Sequence, residues 1–320
     1  MALKLDHLKV YYQTLHGQVK ALDDISLQLK DGEILGVAGE SGCGKSTLSN
    51  ALILLKPPMR FISGEVYLDG EKVPIEEYQK MVAFRFKKIS IIPQYAMNAM
   101  NPTVKIGRYI QDLLLVRGET PEKVFPELKR RLKLVELSES ILDLFPIELS
   151  GGMKQRMVMV IATLLNPSLL IADEITSALD VSTQKAVSEM LVEFRNRGFV
   201  KSIIFVTHDV SVLYQIADRI FIMYAGKFAE IGPTQTVIHH SRHPYTGMLV
   251  QAMPEVGIRY EKQPLTGIPG QPPLLLHPPE GCRFKDRCPF AYGRCNQVPP
   301  QTQISEGHEV ACWKEVEKDA

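Results

Sequence analysis

The run Gly39-Glu40-Ser41-Gly42-Cys43-Gly44-Lys45-Ser46, continued by Thr47, has the residue types that hold phosphate, at the spacing G-x-x-x-x-G-K-[ST]. Glycines at 39, 42 and 44 let the chain curl. Backbone N–H groups, those of Ser41 and Cys43 among them, then point inward at phosphate oxygens. A helix opening at Ser46 adds the positive end of its dipole. Lys45 is expected on the β- and γ-phosphates, the Ser46 hydroxyl on Mg²⁺, and Thr47 near the α-phosphate. Cys43 reads as a small loop residue, since nothing specific beside it would activate a thiol.

Leu169-Leu170-Ile171-Ala172-Asp173-Glu174 is an apolar stretch that ends in two acids. At a strand's carboxyl end, Asp173 can bind Mg²⁺ through water. Glu174 can orient and polarise an attacking water as general base. Thr207-His208-Asp209 follows the apolar Ser202–Val206, and Gln94 follows Ile89–Ile92. Each is weak alone: acids after a strand often only border a solvated loop, and a lone histidine there is more often structural. Beside a γ-phosphate they gain roles. His208 becomes a sensor that positions the water, and Gln94 links Mg²⁺ and water to the segment that follows.

These residues need elements to place them. Residues 3–12 and 21–29 read as strands joined around Gly17, and 33–38 as a short strand running into the glycine turn. Residues 46–55 read as a helix stopped by Pro57-Pro58. Hairpins are expected at 65–73, turning on Asp69-Gly70, and at 219–231, turning on Ala225-Gly226. Residues 169–172 and 202–206 have the unbroken apolar character of buried parallel strands. A helix at 183–197 between them makes a β-α-β unit. The stretch from about Met97 to Thr163 reads as mainly helical, with Thr120-Pro121 opening one helix and Glu122 near its positive end.

After about Ile238 the composition shifts. His243-Pro244-Tyr245, Pro264, Pro269, Pro272-Pro273 and Pro278-Pro279 mark a loop-rich tail. Its apolar periodicity is slight, so it is expected to need a staple. Cys282, Cys288, Cys295 and Cys312 lie in this tail at C-x5-C-x6-C-x16-C. Four thiolates can satisfy a [4Fe–4S] cluster or a tetrahedral zinc. The short C-x₂₋₄-C knuckles usual for structural zinc are absent, and unligated thiols in a disordered tail are the plain alternative.

The chain has 320 residues, with 37 basic and 36 acidic side chains and a net charge of +1. No basic block or stripe marks a nucleic-acid binder. The N-terminus lacks the apolar centre of a signal peptide, which predicts a cytoplasmic protein. The longest apolar stretch, 157–165, is far short of the roughly 20 residues that span a bilayer. Any path across a membrane must come from another chain.

Leu149-Ser150-Gly151-Gly152-Met153-Lys154-Gln155-Arg156 closely resembles the signature of the ATP-binding subunits of ABC transporters. It precedes the 169–174 strand at the spacing that family shows. Ser177-Ala178-Leu179-Asp180 resembles the family's D-loop, Gln94 its Q-loop and His208 its switch histidine. Tyr12 sits where the family places an aromatic on adenine, with Tyr11 as the alternative. Ile175 stands where relatives usually carry proline, which implies a looser turn after Glu174. The tail, with His243-Pro244-Tyr245-Thr246 and the segment from Gly281 to Pro289, is similar to the extension of dipeptide and oligopeptide importers, parts of which nickel importers share.

The resemblance covers nearly the whole chain and implies an α/β fold. This would be a P-loop NTPase cassette over 1–237, with a RecA-like core, an antiparallel β subdomain and a helical subdomain at about 97–163. A loop-rich extension would occupy 238–320. It implies ATP hydrolysis driving peptide import, with Glu174, His208 and Gln94 catalytic and Mg²⁺ on Ser46, Gln94 and Asp173. Ser150, Gly151 and Gly152 would meet the γ-phosphate held by a second cassette, identical or paralogous. Partners would be two membrane permeases and, indirectly, an extracellular binding protein, with the chain peripheral on the cytoplasmic face. In such importers the four tail cysteines hold iron–sulfur, zinc being the alternative. The competing readings are a non-transport ABC ATPase working on DNA or the ribosome, an importer of another substrate such as nickel, and a degenerate regulatory cassette. The last would typically lack the equivalents of Glu174, His208 or Ser150.

Overall fold

The computed structural model describes residues 1–94, 96, 100–177, 179–252 and 267–317. Met97, Ala178 and Pro264, named above, lie outside them. The strands are β1 (Leu3–Thr14), β2 (Gly17–Leu29), β3 (Ile34–Ala38), β4 (Met59–Leu68), β5 (Glu71–Lys72), β6 (Ile89–Ile92), β7 (Leu169–Asp173), β8 (Ser202–Val206), β9 (Arg219–Tyr224), β10 (Lys227–Pro233), β11 (Thr302–Ser305) and β12 (His308–Val310). The helices are α1 (Lys45–Ile53), α2 (Tyr78–Phe84), α3 (Ile106–Val116), α4 (Pro121–Leu134), α5 (Gly151–Thr163), α6 (Val181–Asn196), α7 (Val210–Ile216), α8 (Thr234–His239), α9 (Pro244–Gln251) and α10 (Trp313–Val316).

The apolar runs become the centre of an eight-stranded sheet ordered β11-β12-β10-β9-β3-β8-β7-β6. Within it β9, β3, β8, β7 and β6 are mutually parallel neighbours. Successive side chains point to opposite faces, so a strand buried on both sides reads as continuously apolar. On one face Val37, Ile171, Ile204 and Phe221 pack with Leu48 and Leu52 of α1 and with Leu5, Leu22 and Val66. Those last three belong to a separate antiparallel sheet, β2-β1-β4-β5. On the other face Ile34, Leu170, Phe205 and Ile222 pack with Met157, Leu191 and Leu213 of α5, α6 and α7.

The helices α3, α4 and α5 form an arm that continues this second core through Ile110, Leu114, Leu128, Leu132 and Val160. Pro121 stands at the first turn of α4, with Glu122 beside it. Arg131 is fully buried and joins α4 to the end of α5. Its guanidinium donates to the Thr163 carbonyl, the Asn166 side chain and the Glu127 carboxylate, and lies 4.1 Å from the Phe199 ring centroid. A buried cation whose nitrogens all meet acceptors and whose face meets a ring is tolerated; unpaired it would not be.

Some elements differ from the sequence reading. β1 and β2 run longer, so the turn falls at Leu15-His16 before Gly17. β4 begins at Met59, six residues ahead of the expected start at 65, because pairing with β1 extends it from Tyr12↔Met59 to Leu3↔Leu68. α6 starts at Val181, where the Asp180 carboxylate accepts from the Thr183 N–H.

The largest difference is the tail. Rather than hanging loose for want of a staple, it is built into the cassette. β12 adds to the sheet edge, pairing Val310 with Glu230 and Glu309 with Ile231 of β10. Glu230, fully buried, accepts from the Arg242 and His243 N–H groups at 2.9 and 3.0 Å and from His308 Nε2 at 2.7 Å. Phe284 and Tyr245 enter the second core against Tyr224, with ring centroids 5.1 and 4.5 Å from it. His243 begins α9: burial holds its pKa down, to about 4, so the neutral ring accepts from the Tyr245 N–H at 3.1 Å. The sequence shows no periodicity here because the tail's partners lie in distant segments.

Candidate functional site

β3 delivers the chain into the glycine loop, and α1 leaves it at Lys45. Gly39 has a φ of 149°, and a Cβ there would come within 2.2 Å of the Met223 carbonyl oxygen, so the loop leaves no room for a side chain. Gly42 and Gly44 also have positive φ. Lys45 is 4% exposed and its ammonium donates to the carbonyls of Gly39 at 2.7 Å and Glu40 at 3.1 Å. Its charge thus sits inside the loop's curve. Ser41, Gly42 and Ser46 are exposed, whereas Cys43 is buried. Burial pushes the Cys43 thiol up, so it keeps its proton.

Asp173 closes β7 with its side chain almost wholly buried. Burial first, then the neighbouring Glu174 charge, raise its pKa to about 6 against the opposing pull of Ser49, Lys45 and Ser46. Among the described residues, its Oδ1 is buried without a hydrogen-bond partner. A buried carboxylate oxygen left unpaired beside an exposed serine hydroxyl suits a hard divalent cation that takes oxygen ligands.

Strand order brings three distant residues together. Ile92 pairs with Ala172, and Asp173 with Val206, so the carboxyl ends of β6, β7 and β8 lie side by side. Gln94 Nε2 donates to Glu174 Oε2 at 3.1 Å, and His208 Nδ1 lies 3.7 Å from the same oxygen. Glu174 has a φ of 49°, rare for a residue with a branched-off side chain, and its N–H donates to the Val206 carbonyl at 2.8 Å. Two hydrogen bonds hold the turn at Ile175. Ser177 donates to the Glu174 carbonyl at 2.9 Å through its hydroxyl, and Gln155 Nε2 donates to the Ile175 carbonyl at 3.0 Å.

Tyr11 and Tyr12 alternate across β1. Tyr11 is buried with its hydroxyl on Asp23 at 2.6 Å, while Tyr12 reaches the Thr47 hydroxyl at 3.1 Å. Only Tyr12 therefore borders the glycine loop's helix. Ser150 caps α5 by accepting from the Met153 N–H at 3.3 Å, and Ser150 and Gly151 are exposed. A Cβ on Gly152 would meet nothing within 4 Å among the described residues. The hydrogen bonds of this segment run to Val135 and Ile175, not to the glycine loop. This helix N-terminus is thus open to solvent. Asp180 is held well below the usual carboxylate range by the hydroxyls of Ser182 and Thr183.

The four tail cysteines are all free. Burial pushes Cys282 up to about 11, with the charges of Cys295, Cys312 and Cys288 adding to it. Gly281 permits this neighbourhood: a Cβ there would come within 2.3 Å of the Cys295 carbonyl, to which the Cys282 N–H donates at 2.9 Å. The expected four-thiolate ligand set is nevertheless not formed. Among the described residues no three or more His, Cys, Asp or Glu side chains make a metal-holding group.

Sequence reasoning missed three residues at the glycine loop. Arg287 grips the Glu40 carboxylate with both terminal nitrogens, at 2.7 and 3.0 Å. The Tyr245 hydroxyl accepts from the Glu40 N–H at 2.7 Å. Arg283, nearby, is paired to Asp23 and donates to the Ala225 carbonyl. An acid inside the phosphate motif and two arginines between cysteines were the available signals, but no local spacing links them.

The comparisons with known proteins cover both parts of the chain. Residues 22–177 match the ABC transporter family model, and 229–295 match the model described as oligopeptide/dipeptide transporter, C-terminal region. The chain is 37% identical over 319 residues to the oligopeptide transport ATP-binding protein OppD of Salmonella typhimurium, covering 99% of this chain and 94% of that protein. It is 39% identical over 322 residues to OppD of Bacillus subtilis, covering 97% and 88%. Its fold is similar to the dimeric ATP-binding cassette MJ0796 in a post-hydrolysis state bound to ADP and Pi. The TM-score is 0.61 with 28% identity, over 72% of this chain and 98% of that one.

Proposed function

The chain belongs to the ABC transporter family, and we propose that within it this protein is the ATPase subunit of a dipeptide or oligopeptide importer. The enzyme is an ATPase. The observation that carries the site assignment is the meeting of Gln94, Glu174 and His208 at strand ends beside the Lys45 loop. Lys45 holds the β- and γ-phosphates, Ser46 and Thr47 the neighbouring groups, with the N–H groups of residues 39–44 lining the curve. Tyr12 stacks on adenine. Ser46, Asp173 and Gln94 hold Mg²⁺, which would neutralise charge on the phosphate oxygens. The unpaired Asp173 Oδ1 supports that assignment. Glu174, oriented by Gln94, takes the proton of the attacking water, and His208 positions that water against the γ-phosphate.

The exposed helix N-terminus at Ser150, Gly151 and Gly152 is an anion site. A second cassette supplies the γ-phosphate, and the dimeric relative supports this arrangement. Two ATP molecules then lie between two cassettes, and hydrolysis removes the contact that bridges them. The cassette is residues 1–237, with the helical arm at about 97–163, and 238–320 are the extension. Among the described residues no helix is long and apolar enough to cross a membrane, so the translocation path belongs to permease partners. The chain works at the cytoplasmic face. The matched C-terminal region is what favours peptide over nickel as cargo.

The test is ATP hydrolysis by the chain reconstituted with its permease and binding-protein partners. Hydrolysis is expected to rise severalfold when a short peptide is added with the binding protein. Stimulation by nickel alone, or by DNA or ribosomes, would overturn the peptide reading.

For the tail, the finer reading is that Cys282, Cys288, Cys295 and Cys312 ligate one [4Fe–4S] cluster. Four free, part-buried thiols support it, Cys295 lying near enough to act on Cys282, Cys288 and Cys312. The cluster's chemistry there would be structural, drawing the segments around Cys282, Cys295 and Cys312 together. Protein purified without oxygen is expected to be brown, with a broad visible absorption band and about four irons per chain. A colourless protein with one zinc would assign the thiols to zinc instead.

A further inference from the structure

Glu40 occupies a variable position of the phosphate motif, yet every polar group it carries is engaged. Its carbonyl accepts from Lys45, its N–H donates to the Tyr245 hydroxyl, and its carboxylate takes the fork of Arg287. Two of these three holds come from residues more than 200 positions away, in the extension.

Arg287 is built for this contact. Its side chain is 5% exposed, and all five guanidinium N–H groups are used. Two go to Glu40, one to the Tyr224 hydroxyl at 3.1 Å, one to the Ile268 carbonyl at 3.1 Å and one to the Pro269 carbonyl at 2.8 Å. The Glu40 partnership holds the Arg287 pKa above its ordinary value. Tyr245 is fully buried, so its hydroxyl is fixed where the Glu40 N–H needs it. Nothing about folding the cassette demands such a clamp on a loop whose curvature the glycines already permit.

We propose that the C-terminal extension is a strap that pre-sets the ATP phosphate loop, with Arg287 and Tyr245 as positioning residues acting through Glu40. The reading of residues 39–46 as that loop is its premise. Without the strap the loop must order itself as nucleotide arrives, and that ordering cost comes out of affinity. The thiols flank the strap: Cys288 follows Arg287 directly, and Cys282 precedes Arg283. Whatever holds the thiol segment in shape therefore also sets the loop's readiness for ATP.

The experiment titrates the full-length chain with a fluorescent ATP analogue. Arg287→Ala is expected to weaken binding about tenfold, and Arg287→Lys, which keeps the charge but not the fork, by less. Glu40→Gln, at a part-exposed position that threatens no core, should reproduce most of the Arg287→Ala loss. The double variant Arg287→Ala with Glu40→Gln should then be little weaker than either single one, since both break the same link. Full additivity would mean Arg287 acts only by holding the tail, and would overturn the proposal. So would unchanged affinity in Glu40→Gln. Failure of the unmodified chain to bind the analogue would instead remove the phosphate-loop reading on which the strap depends.

Discussion

Glu174→Gln is expected to bind ATP as the unmodified chain does and to lower turnover by about 10²–10⁴-fold. The amide has the shape of the carboxylate and can still accept from Gln94, whose Nε2 lies 3.1 Å from Glu174 Oε2. What it cannot do is take a proton from water. Asp173, next to it and raised to about 6 by burial, keeps its own place, so a cation site survives the change. Phosphate release measured alongside analogue binding separates the two effects. Release at the parent rate would strip Glu174 of the general-base role and point to His208 or to solvent.

Lys45→Ala acts at the opposite step. The ammonium lies inside the loop's curve, where it rests on the carbonyls of Gly39 and Glu40. Removing it deletes charge-assisted bonds to phosphate, about 3 kcal/mol, or roughly 100-fold in affinity. The fold has little to lose, because among the described residues the hydrogen bonds of the Lys45 ammonium stay within its own loop. Thermal melting close to that of the parent, with nucleotide binding largely gone, is the expected pair of results. Parent-like affinity would refute the assignment of the loop.

Much of the site could be read from the sequence because each piece is local. A phosphate loop is a strand, a glycine turn and a helix in one run of residues, and Asp173-Glu174 and His208 each follow a short apolar stretch. What the sequence could not supply was adjacency. Gln94 and Glu174 are 80 positions apart, and they meet only because β6 lies next to β7 and β7 next to β8. The choice between Tyr11 and Tyr12 needed the register of β1, which sends one ring into the core and the other toward α1.

The tail was the least legible part, for a related reason. Its stabilising contacts pair Arg283 with Asp23 and Arg287 with Glu40, across 260 and 247 positions. Such pairs leave no periodic trace. The cysteines drew attention as a ligand set, while the arginines between them, which grip the cassette, looked like ordinary surface charge. Among the described residues the thiols make no metal-holding group.

The pairing of β12 with β10 bears on how the molecule is made. Until β12 arrives, β10 presents a row of unsatisfied backbone groups along residues with largely buried side chains, a template for another chain's strand. Synthesis runs from the N-terminus, so the strand that shields this border leaves the ribosome well after β10 does. Nascent cassettes in a crowded polysome thus carry a sticky flank between the making of β10 and the making of β12, and a stop codon placed ahead of β12 would yield not slightly shorter enzymes but aggregates.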